Sequence, residues 1–315
     1  IYLQNGTYTG ILTGDVSMDD CYELQEIHSG AEFIDAVKQD TLHRVLKLVS
    51  DIAITDWDEI GTEEMKDFAG ALDGTGHTIY LRKFRTITSS AREKDPQYFS
   101  TFGNNRGIIR NMIISVDYRQ EEGNVNLPLA ILCGNNYGVI SDCQVTGTCL
   151  YTNESDDSCI YGLTKCNYYM LWNDTMSAYL SAGGKKSGTV CGITGRNKFL
   201  GSLVNVNMTG TLIAGTVYGI GQENGGEDGI SGGKDVEIAQ CGVAGSLYGQ
   251  EITEFFGENN SGTNFSEKEV IFSGQKNPQI ILPEPSPKET LPPNLIQTDP
   301  PEDTAKPEIS VSPAV

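Results

Sequence analysis

Two segments of this chain repeat one another. Phe102-Gly-Asn-Asn-Arg-Gly-Ile-Ile-Arg-Asn-Met-Ile-Ile-Ser115 and Cys133-Gly-Asn-Asn-Tyr-Gly-Val-Ile-Ser-Asp-Cys-Gln-Val-Thr146 share a glycine, two asparagines, a second glycine, a β-branched pair, an Asn or Asp, and a later apolar residue. The stretch Phe68–Phe84 precedes them as an echo. Thr194–Gly210 follows as a third copy with two extra residues, and Glu237–Gly245 is the better half of a degenerate fourth. A unit of this size cannot bury its apolar face alone, so a repeated unit must stack on its neighbours.

Within each unit an extended apolar run, Ile108-Ile109 or Val139-Ile140, meets Asn111 or Asp142 and then Ile114 or Val145. Asn and Asp tolerate the left-handed region and bond their own backbone, which reads as a turn between two strands. Gly103, Asn104, Gly107, Gly134, Asn135 and Gly138 are read as repeat corners, where glycine allows positive φ. The 36 glycines favour many short strands over helices. The expected fold is all-β, a parallel β-helix or solenoid whose strands stack coil on coil.

An open solenoid end must be covered. Ser29-Gly-Ala-Glu32 is a capping-box pattern, and Phe33, Ile34, Val37 and Leu42 fall on one face of a short N-terminal helix, the candidate cap. The expected organisation is a lead-in with edge strands over residues 1–28, the solenoid over 29–250, its end over 251–274, and a Pro-rich disordered tail or linker over 275–315. Corner positions 116, 147, 210 and 245 step by 31, 63 and 35 residues. The doubled step predicts an insertion over 148–190.

The formal net charge of −20 argues against nucleic acid, which needs clustered Lys and Arg. No run of 18 apolar residues exists, so no membrane insertion is expected. The chain begins at Ile1 without a leader, the pattern of a processed product or of a piece cut from a longer chain. No cofactor and no metal is expected: the cysteines form no zinc spacing, and Asp15, Asp19, Asp20 and Glu23 lack the ligand spacing of a calcium loop. The loop over 221–235 carries one Gly-Gly-Glu-Asp-Gly string, which is not tandem. Cys143 and Cys241 fall at buried apolar positions of the repeat.

The order of motifs resembles bacterial cell-surface proteins carrying GLUG-type repeats. The residues that carry the resemblance are Glu32-Phe33, Leu46–Ile52, Trp57 with Ile60-Gly61, Phe68–Ile79 and the later repeats, over roughly residues 27–247. It implies a right-handed parallel β-solenoid on an exported protein displayed at the cell surface, part of a larger chain and commonly without a catalytic role. In an exported chain Cys149 with Cys191 would close the neck of the insertion and Cys159 with Cys166 a small loop, although spacing does not set connectivity.

A polysaccharide lyase or hydrolase on a β-helix is the enzymatic alternative. It would need paired carboxylates on successive coils, and Asp73 with His77 is the nearest approach. Asp73, Gly74, Gly76 and His77 instead read as a structural turn motif, so no catalytic residue is assigned. The 148–190 segment holds Tyr161, Tyr168, Tyr169, Trp172 and Tyr179, and rings mounted on a rigid scaffold suit recognition. The expected function is adhesion: binding of a host or matrix glycan or protein. A stalk or spacer is the other alternative.

Overall fold

The computed structural model describes residues 3–4, 7–8, 23–54, 67–81, 99–120, 128–152, 158–183, 186–198, 201–225, 238–259 and 270–277. Residues Asp15, Asp19 and Asp20, the Trp57 to Gly61 bridge, residues 226–235 of the glycine-rich loop and the Pro-rich segment from 278 lie outside them. Leu3–Gln4 and Thr7–Tyr8 pair antiparallel on either side of Asn5-Gly6.

Among the described residues all other strand pairing is parallel and builds three sheets. Sheet 1 stacks Glu23–Ile27, Arg44–Leu48, Ala71–Asp73, Ile108–Arg110, Val139–Ser141, Met170–Trp172, Ser202–Val204 and Ile238–Ala239. Sheet 2 contains Thr78–Leu81, Ile113–Gln120, Gln144–Tyr151, Thr175–Met176 with Tyr179–Ala182, and their successors up to Gln275–Lys276. Sheet 3 runs from Phe99–Asn105 and Leu129–Asn136 to Phe256–Asn259. The chain visits sheets 1, 2 and 3 in turn and begins again one strand further on. This is a parallel β-solenoid, with one short helix among the described residues.

The registers explain why the sequence coils. Leu46, Leu72, Ile109, Ile140, Leu171, Leu203 and Ile238 lie one above another in sheet 1, and each is buried. Ile79, Ile114, Val145, Met176, Met208 and Val243 make the equivalent ladder in sheet 2, and Leu129, Ile160, Val190 and Val217 that of sheet 3. Each rung is worth roughly 2 kcal/mol of apolar burial, and no coil can collect it without a neighbour.

Between sheets 1 and 2 the chain turns through the left-handed region at Asn111, Asp142, Asn173, Asn205 and Gln240, with φ from 52° to 58°. The repeat had marked the first two. Asn205 Nδ2 donates to Asn173 Oδ1 at 2.6 Å, and Asn173 Nδ2 to Asp142 Oδ1. Between sheets 3 and 1 the corner is held by a second ladder, Asn105, Asn136, Asn167, Asn197 and Asn224, all fully buried. Each amide donates to the next across 2.8, 2.9, 2.9 and 3.0 Å.

Several sequence expectations are corrected by these registers. Gly107 and Gly138 are corner residues, but Gly103, Asn104, Gly134 and Asn135 lie within sheet 3 strands just before the corner. Those strands run on until the buried Asn105 and Asn136. Residues 148–190 are no insertion: Gln144–Tyr151 pairs with Tyr179–Ala182, Cys159–Tyr161 with Thr189–Cys191, and Thr164–Asn167 with Thr194–Asn197. Sheet 1 steps from Ile108 to Val139, Met170 and Ser202, so the period of 31, 31 and 32 residues is unbroken.

The helix Gly30–Lys38 buries Phe33, Ala36 and Val37 in the main core, and Phe33 packs edge-on against Phe102 at 6.1 Å. It covers the apolar interior at the N-terminal end. Ser29 Oγ accepts from Glu32 N at 3.2 Å, and Glu32 accepts from His28 N at 2.7 Å. Leu42, expected on the apolar face, is 54% exposed because the helix ends at Lys38.

Candidate functional site, a trough over sheet 1

Sheet 1 turns one column of side chains outward through Leu24, Val45, Ala71, Ile108, Val139 and Met170. A second outward column runs through Lys47, Asp73, Arg110, Ser141 and Trp172. Immediately before the first column, at the corner, stand Gly70, Gly107, Gly138 and then Tyr169. A Cβ on Gly107 would lie 1.9 Å from Gly70 O, and one on Gly138 2.1 Å from Gly107 O. Side chains are excluded there, and the surface sinks into a trough of about 350 Å³.

One wall is a stack of three planar groups from successive coils. The Arg106 guanidinium lies 4.6 Å from the centre of the Tyr137 ring, and Tyr137 stacks on Tyr168 at 4.5 Å with 14° between the planes. Arg106 is held by Asp67. Burial draws the Asp67 carboxyl upward, but hydrogen bonds from Arg106 and Asn104 outweigh it and leave the group below the usual carboxylate range. The opposite side carries Asp73 and Arg110, which are 15% and 14% exposed. Arg110 Nε and Nη2 reach Asp73 Oδ2 at 3.0 and 2.7 Å, while Asn111 Nδ2 and Thr75 N donate to Oδ1 at 3.2 and 3.0 Å. Tyr169, 47% exposed, stands at the far end.

Chemically this is a recognition surface: an apolar floor, flat rings, and a rim of hydroxyl and guanidinium groups. Among the described lining residues Asp73 is the one carboxylate, and four donors already occupy it.

The structure scatters the aromatic residues singled out in the sequence. Tyr169 lines the trough and Tyr168 backs Tyr137. Trp172, 51% exposed, sits in the second column of sheet 1 beyond the lining. Tyr161 is buried on the outer side of sheet 3 against Gly195, and Tyr179 belongs to sheet 2. The five share no surface because their segment is one turn and part of the next, which faces three ways. Arg106, Arg110 and Tyr137 were missed. The signal for Arg106 and Tyr137 is the variable residue inside an otherwise repeated Asn-x-Gly, and for Arg110 the variable residue just before the turn, where the next unit has Ser141, since positions free to vary in a solenoid point outward.

Asp73, Gly74, Gly76 and His77 form the turn between sheets 1 and 2. Thr75 and Gly76 take φ of 49° and 81°, and His77 Nδ1 faces Asp51 Oδ1 at 3.3 Å, not Asp73. Neither the Cys149–Cys191 nor the Cys159–Cys166 bridge considered above forms, which corrects both. Cys149 points into the core of the solenoid, whereas Cys191 packs beside Tyr161 on the far side of sheet 3. Cys159 and Cys166 sit on separate strands of one coil. Burial pushes the Cys133, Cys143, Cys149 and Cys191 thiols far up and Cys241 up to about 11, so none is an activated nucleophile. Among the described residues no group of three or more His, Cys, Asp or Glu is placed to hold a metal ion.

Among the described residues one buried acid interrupts the core. Asp174 stands where neighbouring coils carry Met112, Cys143, Val206 and Cys241, and it is fully enclosed. Burial pushes its carboxyl well above the usual range, against hydrogen bonds from Cys143 N and Trp172 N. Those bonds, 2.8 and 3.1 Å long, fasten the end of the strand that carries Trp172.

No family model matches the chain, and no curated protein matches it. Among solved structures it is similar to a Bacteroides ovatus protein named "putative immunoglobulin A1 protease", at 17% identity over 80% of this chain and 83% of that chain, with a TM-score of 0.42.

Proposed function

We propose that this chain is a non-catalytic β-solenoid that binds a host or matrix glycan through the trough on sheet 1. The observation that carries the reading is the trough itself. Its apolar floor suits the C–H face of a sugar, and the Tyr137 and Tyr169 rings with the Arg106 and Arg110 guanidinium groups suit the hydroxyls around its edge. The acid already saturated at its base supports recognition over hydrolysis, which needs two available carboxyl groups. The resemblance to GLUG-repeat surface proteins supports display outside a bacterial cell as part of a larger protein. No helix among the described residues is long and apolar enough to cross a membrane.

A glycan array probed with the intact chain and with Ile108→Trp tests the proposal. The indole would fill the floor between Ala71 and Val139, so binding is expected to fall about tenfold or more, with the melting temperature held within a few degrees. Tyr179→Ala, on sheet 2, should bind as the parent does. Equal binding by Ile108→Trp and the parent would remove the trough as the site. A chain that retains no glycan would leave the spacer or protein-binding readings in its place.

A further inference from the structure

We infer that the outer face of sheet 3 carries a second site, formed by Lys165, Arg196 and Lys198, which takes a single oxyanionic group, a carboxylate or a sulfate. None of the three lines the trough, and the site does not depend on the glycan reading. Strand register brings them together. Cys166 pairs with Arg196 and Arg196 with Glu223, so these residues lie one above another on three successive coils. Asn167, Asn197 and Asn224 turn inward to their ladder, and the residue before each therefore turns outward. Lys165 adjoins Cys166 in sequence. Lys198 follows Asn197 as Tyr168 follows Asn167, which continues the corner row of Arg106, Tyr137 and Tyr168 by one coil. Its backbone N–H donates to Asn167 O at 2.7 Å and fixes it there.

The cations outnumber the acid between them. Arg196 Nε lies 3.4 Å from Glu223 Oε2, and Lys198 Nζ lies 3.8 Å from the same oxygen. One carboxylate thus serves two cations, and among the described residues no group accepts a hydrogen bond from Lys198 Nζ. The Lys198 side chain is 10% exposed, whereas that of Arg196 keeps 53%. Enclosing an ammonium without acceptors is costly, and an anion arriving from the open side at Arg196 supplies them. Lys165 adds a third charge. Burial draws its ammonium below the ordinary value, with Arg196 adding to the effect and Cys166 opposing it. Burial raises the Cys166 thiol, while Lys165, Arg196 and Lys198 each act to lower it, so all three cations bear on one spot. An oxyanion at that spot is attracted by all three and offsets the repulsion between Lys165 and Arg196.

The surroundings limit the ligand to one such group. Arg196 offers a planar fork that matches a carboxylate or a sulfate, and the two lysines act as point charges. Beyond Glu223 the same column continues to Glu258, and the chain as a whole carries −20. A polyanion laid along the solenoid meets like charge within a coil or two of the site. A molecule with one oxyanion avoids it, since screening reduces charge interactions beyond about 8 Å at physiological ionic strength.

Calorimetric titration of the intact chain with inorganic sulfate, with glucuronate and with the uncharged methyl ester of glucuronate tests the site, at an ionic strength held constant with sodium chloride. Both anions should bind saturably, and glucuronate should bind about tenfold or more tightly than its ester. Lys198→Met and Arg196→Gln should each weaken both anions about tenfold, whereas Arg119→Gln, which removes an exposed cation from sheet 2, should bind as the parent does. Arg196 is exposed enough that its variant keeps the test in force should Lys198→Met fail to fold. Equal affinity for the two anions, lost in the variants, supports a site that reads the oxyanion alone. Glucuronate binding tenfold more tightly than sulfate, with the same loss, supports a site for an acidic sugar. Binding of neither anion, equal binding of acid and ester, or affinities unchanged in Arg196→Gln would overturn the inference, and the trough would stand or fall separately by Ile108→Trp.

Discussion

Asn136 shows how little slack the corner between sheets 3 and 1 allows. Its amide nitrogen donates to Asn167 Oδ1 at 2.9 Å and Met170 O at 3.0 Å. Its oxygen accepts from Asn105 Nδ2 at 2.8 Å and Gly138 N at 3.3 Å. Asn136→Ala would strand buried groups on both neighbouring coils, and the expected loss is about 3 kcal/mol in chemical denaturation. A loss below about 1 kcal/mol would mean the ladder is incidental. The repeat shows two adjacent asparagines, and by itself does not say which one turns inward. Asn167 and Asn197 resolve the choice: they are preceded by Cys166 and Arg196, so only the second asparagine recurs. The left-handed turns at Asn111 and Asp142 were legible because few residue types serve there.

At the scale of the coil, the repeat was legible where glycine marked its corners and illegible where it did not. Ala178 takes the place that Gly147 and Gly210 hold in adjacent coils, and Tyr169 takes that of Gly138. Two substitutions hid a whole turn, and its rings imitated an excursion. The distinction is testable by excision, because a solenoid shortened by one period keeps every nearest-neighbour contact type. Removal of residues 139–169 joins Gly138 to Met170, which already occupies the register of Val139, and should give a chain that still melts cooperatively by circular dichroism. Removal of 150–188 would force Cys149 of sheet 2 directly onto Thr189 of sheet 3 and should abolish cooperative folding. The reverse outcome would restore the insertion.

Over the whole molecule, the fold follows from a few repeated residues, and the site does not. The trough draws Val45, Asp73, Arg106 with Arg110, Tyr137 and Tyr169 from successive coils, so apart from the two arginines of one repeat its members share no local motif. They meet only once the register is known, and the register depends on residues 139–197 being regular coils. Hydrogen exchange read by mass spectrometry on the intact chain tests that continuity directly. Amides in Cys159–Tyr161, Thr164–Asn167, Tyr179–Ala182 and Thr189–Cys191 should exchange as slowly as those of Leu129–Asn136 and Val139–Ser141, since all are paired in the same ladders. Rapid exchange across 153–190 between protected flanks would contradict the uninterrupted solenoid and, with it, the placement of the trough.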